Sequence, residues 1–269
     1  MKIMMGISAF FAITALACAQ EAGSVGVGHL IYSGTPPLRC SGALVDFGLP
    51  DSAKALFLTA GHCARSWRTA DHLKPFEIII NEDAATGTVR FRGLGRGGRD
   101  FIEAPVRKVV FGSFDFWDAA ILEIEATYAQ MKDSGVLAWP MSSRLAKEGD
   151  PLVFYGYKRE GFDLDQSRCP AGPYSSFAFE QDARTYCAIN RISHQCGSAP
   201  GMSGGPVFND EGQIVGILTS AGQKINYLSN LFFIRRCLTI ENKETLAVDR
   251  NCLKEKLRYL PESCAGRTN

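Results

Sequence analysis

Residues 201–207 read GMSGGPV. Residues 206–208, at the end of this stretch, form an apolar run that is typical of a strand. A serine among glycines suits nucleophilic attack, because glycine lets a substrate carbonyl approach the backbone and permits tight turns. Serine also needs an adjacent base. The G-x-S-x-G elbow requires glycine two residues to each side and a helix afterwards, whereas Pro206 follows Ser203 here. The segment predicts a serine turn within a β fold, and a plain Gly/Ser turn is the alternative.

The rest of the chain reads as short strands. Apolar runs of strand length alternate with Gly, Pro, Asp or Asn, which is typical of an all-β sandwich or barrel. A helical period appears only after residue 240, and it predicts a C-terminal helix from Glu244 to Leu260 that Pro261 ends. The predicted strands include Val25 to Tyr32, Ala43 to Phe47, Ala55 to Leu58, Val106 to Phe111, Ala119 to Ile124 and Ile214 to Leu218.

Composition excludes several classes of protein. Of the 269 residues, 46% are hydrophobic and 21% are charged, as in a globular protein with a buried core, so disorder over most of the chain is excluded. Lys and Arg total 29 against 28 for Asp and Glu, giving a net charge of +1. We therefore expect no nucleic-acid partner.

One glycine pattern has the spacing of a dinucleotide-binding motif. Gly93, Gly95 and Gly98 have G-x-G-x-x-G spacing, but the helix that a dinucleotide site requires does not follow. We interpret residues 88–100 as a loop between strands and expect no cofactor.

The first residues predict export. Lys2 precedes an uncharged run from Ile3 to Ala19 that ends in a small-x-small cleavage pattern, so residues 1–19 are predicted to be a signal peptide. A transmembrane anchor is one alternative, although this run is at the short limit for spanning a bilayer. A lipoprotein cleaved before Cys18 is another. After cleavage we expect a secreted or periplasmic protein without a membrane span.

The cysteines agree with export. The chain has nine, and losing Cys18 with the leader leaves an even number, as in disulfide-bonded proteins of oxidising compartments. The C-x-x-C pairs of zinc sites do not occur, so we expect no metal site. Cysteine spacing alone does not determine the pairing.

Two further segments supply groups that could activate Ser203. The sequence TAGHC at residues 59–63 places His62 among small residues, with a buried structural histidine as the alternative. Asp118 precedes the apolar run 119–124, where a buried carboxylate would need a partner such as imidazole. A solvent-facing strand cap is the alternative for Asp118.

Taken together, four segments resemble the signatures of the chymotrypsin/trypsin-like serine proteases, in that family's His–Asp–Ser order. They are CSGALV at 40–45, TAGHC at 59–63, DAAIL at 118–122 and GMSGGP at 201–206. The resemblance extends from about residue 25 to residue 236. It implies an all-β fold of two six-stranded antiparallel β-barrels, which a C-terminal α-helix would follow.

The resemblance also implies the catalytic roles. Ser203 would attack the scissile carbonyl, His62 would accept and return the proton, and Asp118 would orient His62. The backbone N–H groups of Gly201 and Ser203 would form the oxyanion hole. Substrate would bind along a wall made of Gly197, Ser198, Pro200, Thr219, Ser220, Ala221 and Gly222.

For the disulfides, the resemblance implies Cys40–Cys63 and Cys196–Cys237. Cys169–Cys187 and Cys252–Cys264 then remain as the pairs of nearest cysteines.

The departures from the family pattern include one at Met202 and one at residues 197–200. Met202 stands where many members have an acid that pairs with a freshly cut N-terminus, so we expect activity without an activating cut. Residues 197–200 include no acid at the base of the pocket. The pocket therefore lacks the carboxylate that usually favours Lys or Arg in the substrate.

These inferences divide the chain into a signal peptide at 1–19, a protease domain at 20–241 and a C-terminal helical extension at 242–269 packed on that domain. The boundary between the barrels is expected near 125–140. We expect an exported monomeric serine endopeptidase acting on polypeptides through an acyl-enzyme. A non-catalytic binding protein is the alternative, since a fold does not determine a function.

Overall fold

The computed structural model describes residues 25–33, 37–64, 77–84, 86–92, 101–114, 117–159, 163–175, 179–181, 184–186, 189–193, 197–221 and 225–257. Its strands are β1 (Val27–Tyr32), β2 (Leu38–Asp46), β3 (Lys54–Thr59), β4 (Ile78–Asp83), β5 (Gly87–Arg92), β6 (Phe101–Ser113), β7 (Ala119–Thr127), β8 (Trp139–Pro140), β9 (Pro151–Tyr157), β10 (Leu164–Ser175), β11 (Phe179–Gln181), β12 (Arg184–Tyr186), β13 (Ile189–Ser193), β14 (Pro206–Phe208), β15 (Ile214–Ala221), β16 (Ile225–Asn230), β17 (Leu238–Glu241) and β18 (Thr245–Val248). Its helices are a 3₁₀ turn (Gly61–Cys63), α1 (Tyr128–Asp133), α2 (Phe232–Arg235) and α3 (Arg250–Leu257).

The first barrel is a ring of six strands in the order β1-β5-β6-β7-β3-β2. The antiparallel pairing of β2 with β1, from Val27 opposite Ala43 to Tyr32 opposite Leu38, brings the sheet back to its first strand. Strand β4 pairs with β6 and strand β8 pairs in parallel with β2, so both lie outside the ring. In β5 the buried residues Val89 and Phe91 alternate with half-exposed neighbours, as expected for a strand with one face on a core.

The second barrel closes in the order β10-β13-β16-β15-β14-β9. A separate apolar cluster fills it, including Phe154, Met202 and Leu228, each fully buried. The prediction of an all-β fold with two barrels is therefore confirmed. Between the barrels, β8 still pairs with β2, and the second barrel begins with β9 at Pro151.

The C-terminal helix is shorter than the predicted span of 244–260. Residues 245–248 form β18, which pairs with β17 in a hairpin, and α3 begins only at Arg250. Asp249 starts the helix, because its Oδ1 accepts the N–H groups of Asn251 and Cys252 at 2.8 and 3.0 Å. The helix prediction was wrong for residues 245–248 because β17 supplies them with a pairing partner, which the local sequence pattern does not reveal. Residues 258–269 lie outside the described residues.

Two disulfides are present among the described residues. Cys40–Cys63 ties β2 to the 3₁₀ turn, with the Cα atoms 6.2 Å apart. Cys237 pairs with Cys252, with the Cα atoms 5.4 Å apart. The predicted pairs Cys196–Cys237 and Cys252–Cys264 are therefore wrong. The physical reason is the return of the chain after the hairpin, since the Asp249 N–H donates to the Cys237 carbonyl at 2.9 Å and brings α3 alongside.

Cys169 is also disulfide-bonded. The predicted pair Cys169–Cys187 stays a prediction, because Cys187, like Cys196 and Cys264, lies outside the described residues.

A buried histidine lies where the two barrels meet. His29 on β1 stacks on Tyr157 of β9, with the ring centroids 5.1 Å apart and the ring planes 12° apart. The Tyr157 hydroxyl donates to the Val27 carbonyl at 3.4 Å. Burial, with smaller contributions from the guanidinium groups of Arg39 and Arg90, lowers the pKa of His29 from 6.5 to about 4. The imidazole is therefore neutral in the folded protein near pH 7.

The lowered pKa of His29 makes stability depend on pH. The unfolded chain takes up a proton at His29 near pH 6.5 and the folded chain only near pH 4, so stability is lost as the pH falls between these values. In urea titrations at pH 7.5 and 4.5, we expect wild type to lose roughly 2–3 kcal/mol more than His29→Phe, which keeps an aromatic ring without the titration. An equal loss in both proteins would contradict this assignment.

The Cys237–Cys252 bond closes a loop with a sequence separation of 15. The double variant Cys237→Ser, Cys252→Ser should lose about 3 kcal/mol of unfolding free energy, because without the bond the unfolded chain has more conformational entropy. Urea titration measures this loss. Non-reducing peptide mapping should recover the two cysteines in one linked fragment, and a link from either cysteine to Cys196 or Cys264 would overturn the assignment.

Candidate active site

His62 lies on the 3₁₀ turn that follows β3, and it faces a buried carboxylate. The Oδ1 atom of Asp118 accepts the backbone N–H of His62 at 2.8 Å. The imidazole Nδ1 lies 3.0 Å from Oδ1 and 2.9 Å from Oδ2 of the same residue. The Asp118 side chain is fully buried, whereas 18% of the His62 side chain is exposed. With Nδ1 held by the carboxylate, Nε2 is the ring atom left for proton exchange.

Asp118 adopts a strained backbone conformation. Its φ of 38° is in the left-handed region, which few residues other than glycine adopt, although aspartate tolerates it better than most. The Asp118 N–H donates to the Phe114 carbonyl at 3.1 Å, which closes the turn between β6 and β7. This conformation directs the carboxylate toward His62, and the hydrogen bonds to His62 offset the free-energy cost of the strained backbone.

The loop that carries Ser203 spans the junction of the two barrels. On one flank, the Gly204 N–H donates to the Leu218 carbonyl on β15 at 2.6 Å. On the other flank, the Ser41 N–H on β2 donates to the Ser203 carbonyl at 2.7 Å. The loop is thus hydrogen-bonded to one strand of each barrel.

Gly204 brings this loop against the histidine turn. Its φ is +82°, and a Cβ built there would lie 2.3 Å from the Ser41 carbonyl oxygen and 2.7 Å from the Ala60 backbone nitrogen. Only glycine combines this conformation with so close an approach. Because Ala60 lies two residues before His62, Ser203 lies beside the turn that carries the imidazole.

The backbone N–H groups of the loop differ in their partners. Those of Met202, Gly204 and Gly205 donate to backbone carbonyls of Ala199, Leu218 and Met202, respectively. Within the part of the chain that the structure describes, the N–H groups of Gly201 and Ser203 have no backbone acceptor. Gly201 has a φ of +99°. Two N–H groups left open beside a serine can stabilise a developing oxyanion.

A family model supports the same interpretation. The model of the trypsin-like peptidase domain matches residues 40–217, which include all three residues of the predicted triad. The chain belongs to the trypsin-like peptidase family. As a member of that family it is a serine protease. No curated protein matches the peptidase in sequence.

Solved structures with the same fold include three bacterial or microbial proteases. The active form of the Rv3671c protease from M. tuberculosis is 17% identical, with a TM-score of 0.51 over 79% of this chain and 78% of that one. The MamO protease domain from Magnetospirillum magneticum is 16% identical, with a TM-score of 0.57 over 82% and 100%. The thermostable protease AL20 from an extremophilic microorganism is 16% identical, with a TM-score of 0.54 over 78% and 92%.

The predicted substrate-binding residues lie on two sides of the loop of the peptidase. Gly197, Ser198 and Pro200 directly precede Gly201, and the Gly197 carbonyl accepts the Ser167 hydroxyl at 2.9 Å. Thr219, Ser220 and Ala221 end β15, and Gly222 lies outside the described residues. Strand β14 pairs with β15 only as far as Ile217, so β14 leaves the edge of residues 219–221 uncovered.

The residues near His62 do not fit a metal ion. Of the described residues, Cys40, His62 and Cys63 bring ligand-type atoms within 4.8 Å of one another. The two sulfur atoms are joined in a disulfide, so the peptidase has no thiolates there to bind a metal. In the described part of the chain, no helix is long and apolar enough to cross a membrane.

Sequence reasoning missed the role of Ser41. Its hydroxyl donates to the Gly201 carbonyl and accepts the Tyr157 N–H, both at 2.8 Å. The residue is within the CSGALV segment, but nothing in a local pattern reveals hydrogen bonds to residues more than a hundred positions away.

Removal of the Ser41 hydroxyl should loosen the loop. Ser41→Ala leaves a buried carbonyl and a buried N–H without their partner, so we expect a loss of about 2–3 kcal/mol in urea unfolding. The matched control is Ser142→Ala, since Ser142 is also buried but, among the described residues, its hydroxyl accepts only the Arg144 N–H. Equal losses in the two variants would contradict the bridging role.

Proposed function

We propose that the chain is an exported serine endopeptidase that uses His62, Asp118 and Ser203 as a catalytic triad. The observation that carries this proposal is the contact of both Asp118 carboxylate oxygens with His62 Nδ1, beside the loop that holds Ser203. A buried carboxylate fixes the imidazole with Nε2 free to accept a proton and stabilises the charge that the ring then gains.

Acylation is the first half of the reaction. Ser203 Oγ attacks the scissile carbonyl carbon while its proton passes to His62 Nε2. The carbonyl oxygen becomes an oxyanion, which the N–H groups of Gly201 and Ser203 stabilise by about 3 kcal/mol per donor. The intermediate then collapses with cleavage of the C–N bond, and His62 gives its proton to the departing amine. An acyl-enzyme ester on Ser203 remains.

Deacylation repeats these steps with water. His62 takes a proton from a water molecule as the water oxygen attacks the ester, and the same two N–H groups hold the second oxyanion. The Ser203 oxygen leaves and recovers the proton from His62, which releases the acid product. The cycle needs no cofactor and no metal ion.

The uncovered edge of β15 gives the substrate a place to bind. An extended peptide can add to residues 219–221 as a further strand, which leads its scissile bond to Ser203. Gly197, Ser198, Pro200 and Gly222 would line the adjoining pocket. The described wall residues carry no acid, so we propose no charge-based preference for Lys or Arg.

The loop does not depend on an activating cut in this proposal. Met202 is fully buried in the core of the second barrel, and its sulfur accepts the Ala199 N–H at 3.3 Å. Apolar burial can thus support the loop where other family members use an ion pair with a new N-terminus.

Export is proposed from the sequence, with residues 1–19 as the signal peptide and a secreted or periplasmic location for the mature monomer. The disulfides Cys40–Cys63 and Cys237–Cys252 support this proposal, since such bonds persist in oxidising compartments. Residues 20–241 would form the protease domain, and residues 242–269 an extension packed on it.

Covalent labelling tests the triad. A fluorophosphonate should label the purified protein at Ser203, because the reagent requires an activated serine. Ser203→Ala should abolish labelling, and Asp118→Asn should slow it by about 10⁴-fold, since the amide holds the wrong imidazole tautomer. Ser143→Ala, which removes an exposed serine, should label like wild type.

Labelling of Ser203→Ala at the wild-type rate would show that another serine reacts. A folded wild type that takes no label would favour a non-catalytic binding protein on the same fold.

A further inference from the structure

Two arginines lie directly beside the loop that carries Ser203. The Arg159 N–H donates to the Pro200 carbonyl at 2.8 Å, one residue before Gly201. A Cβ built on Gly201 would lie 2.5 Å from the Arg159 nitrogen, so the two backbones are in contact. Arg39 on β2 donates from Nη1 to the Arg159 carbonyl at 3.0 Å. The backbone of Arg159 is thus held next to the residues that would form the oxyanion hole, and the Arg39 guanidinium group is hydrogen-bonded to that backbone.

These arginines lie on the flank of the loop opposite the substrate strand. The β15 flank, at Leu218, leads to residues 219–221, the edge to which the proposed function adds the peptide strand. We assign the part of the peptide N-terminal to the scissile bond to this edge. The other flank is β2, through Ser41. Arg39 is two residues before Ser41, so both side chains lie on one face of the strand. When a peptide runs from β15 across Ser203 toward β2, its residues C-terminal to the scissile bond lie next to these arginines.

Arginines are concentrated at this junction. Besides Arg39 and Arg159 there are Arg90 and Arg92 on β5, although Arg90 pairs with Glu103. Neither Arg92 nor Arg159 forms an ion pair with an acid among the described residues, whereas the neighbouring Lys158 pairs with Asp165 at 2.9 Å. In a chain whose total net charge is only +1, such a concentration of cations at one site gives a local preference for anions.

The same arginines affect the pKa values of two buried side chains at the junction, His29 and Tyr157. Arg39 and Arg90 act with burial to lower the pKa of His29. Burial raises the pKa of Tyr157 to about 12, and Arg92 opposes that rise. The cations of β2 and β5 therefore face the junction of the barrels rather than separate parts of the surface.

We propose that Arg39 and Arg159 select peptides with acidic residues just C-terminal to the scissile bond. This inference rests on the proposed function, because it requires cleavage at Ser203. A carboxylate in the leaving segment gains charge-assisted hydrogen bonds from a guanidinium group. Exposed charges also speed association, so the preference weakens as the salt concentration rises.

The test compares peptides that differ only on the leaving side. One quenched-fluorescence peptide carries Asp and Glu in the first three positions after the cleaved bond, and its partner carries Asn and Gln. Wild type should cleave the acidic peptide with about tenfold higher kcat/KM, and 0.5 M NaCl should remove most of the difference. Arg159→Gln should reduce the ratio severalfold, because the kcat/KM of the acidic peptide falls toward that of the neutral peptide.

A matched control removes a cation far from the site. Lys132 on α1 pairs with Asp51, beyond the opposite end of β2 from Arg39, and the strand alone spans about 23 Å from Arg39 to Asp46. Lys132→Gln should keep the full preference. Arg39→Gln should act like Arg159→Gln, and Arg159→Glu should shift the preference toward Lys and Arg in the leaving segment. A merely structural role for Arg159 would not produce that inversion.

Three outcomes separate the possibilities. Equal cleavage of both peptides by a wild type that labels at Ser203 overturns this inference and leaves the proposed function standing. A wild type that does not label at all overturns the proposed function itself. Equal cleavage, combined with binding of a single-stranded DNA oligonucleotide that Arg159→Gln abolishes, assigns the arginines to a polyanion and also overturns the inference.

Discussion

The hydrogen bonds of Ser41 are the constraint on which the candidate active site depends. Its backbone N–H and its hydroxyl both hold the loop around Ser203, and the same hydroxyl accepts the N–H of Tyr157 on β9. One buried residue of the first barrel thus fixes the loop and the edge of the second barrel together. A buried carbonyl without its donor would cost about 1–3 kcal/mol, so these bonds strongly favour a single arrangement.

The second support of the loop is apolar. Met202 lies in the core of the second barrel, while its neighbours Gly201 and Gly204 adopt left-handed conformations that turn the backbone in and out of that core. The buried methionine carries no charge, so its support does not vary with pH. The buried charge of the site is that of Asp118, whose burial makes the paired imidazole necessary.

The sequence carried enough information for the architecture and for part of the connectivity. Alternating strands such as β5 predicted sheets because a period of two is visible locally. The two barrels were implied by the resemblance of the His62, Asp118 and Ser203 segments to the signatures of a known family. The pairing of Cys237 with Cys252 was not predictable in this way. It follows from the hairpin of β17 and β18, and β18 was mistaken for the start of a helix. The Ser41 bonds are equally invisible, since they join parts of the chain that only folding brings together.

The C-terminal hairpin packs on the first barrel, although it follows the second barrel in the chain. Strand β18 contacts β6, and Leu246 and Leu253 join the apolar cluster that contains the core of the first barrel. The barrel made first during synthesis therefore lacks part of its apolar covering until residues 246–253 have been added to the chain. A nascent polypeptide of this kind completes its folding late, because its first barrel waits for a segment that is synthesised after the second barrel.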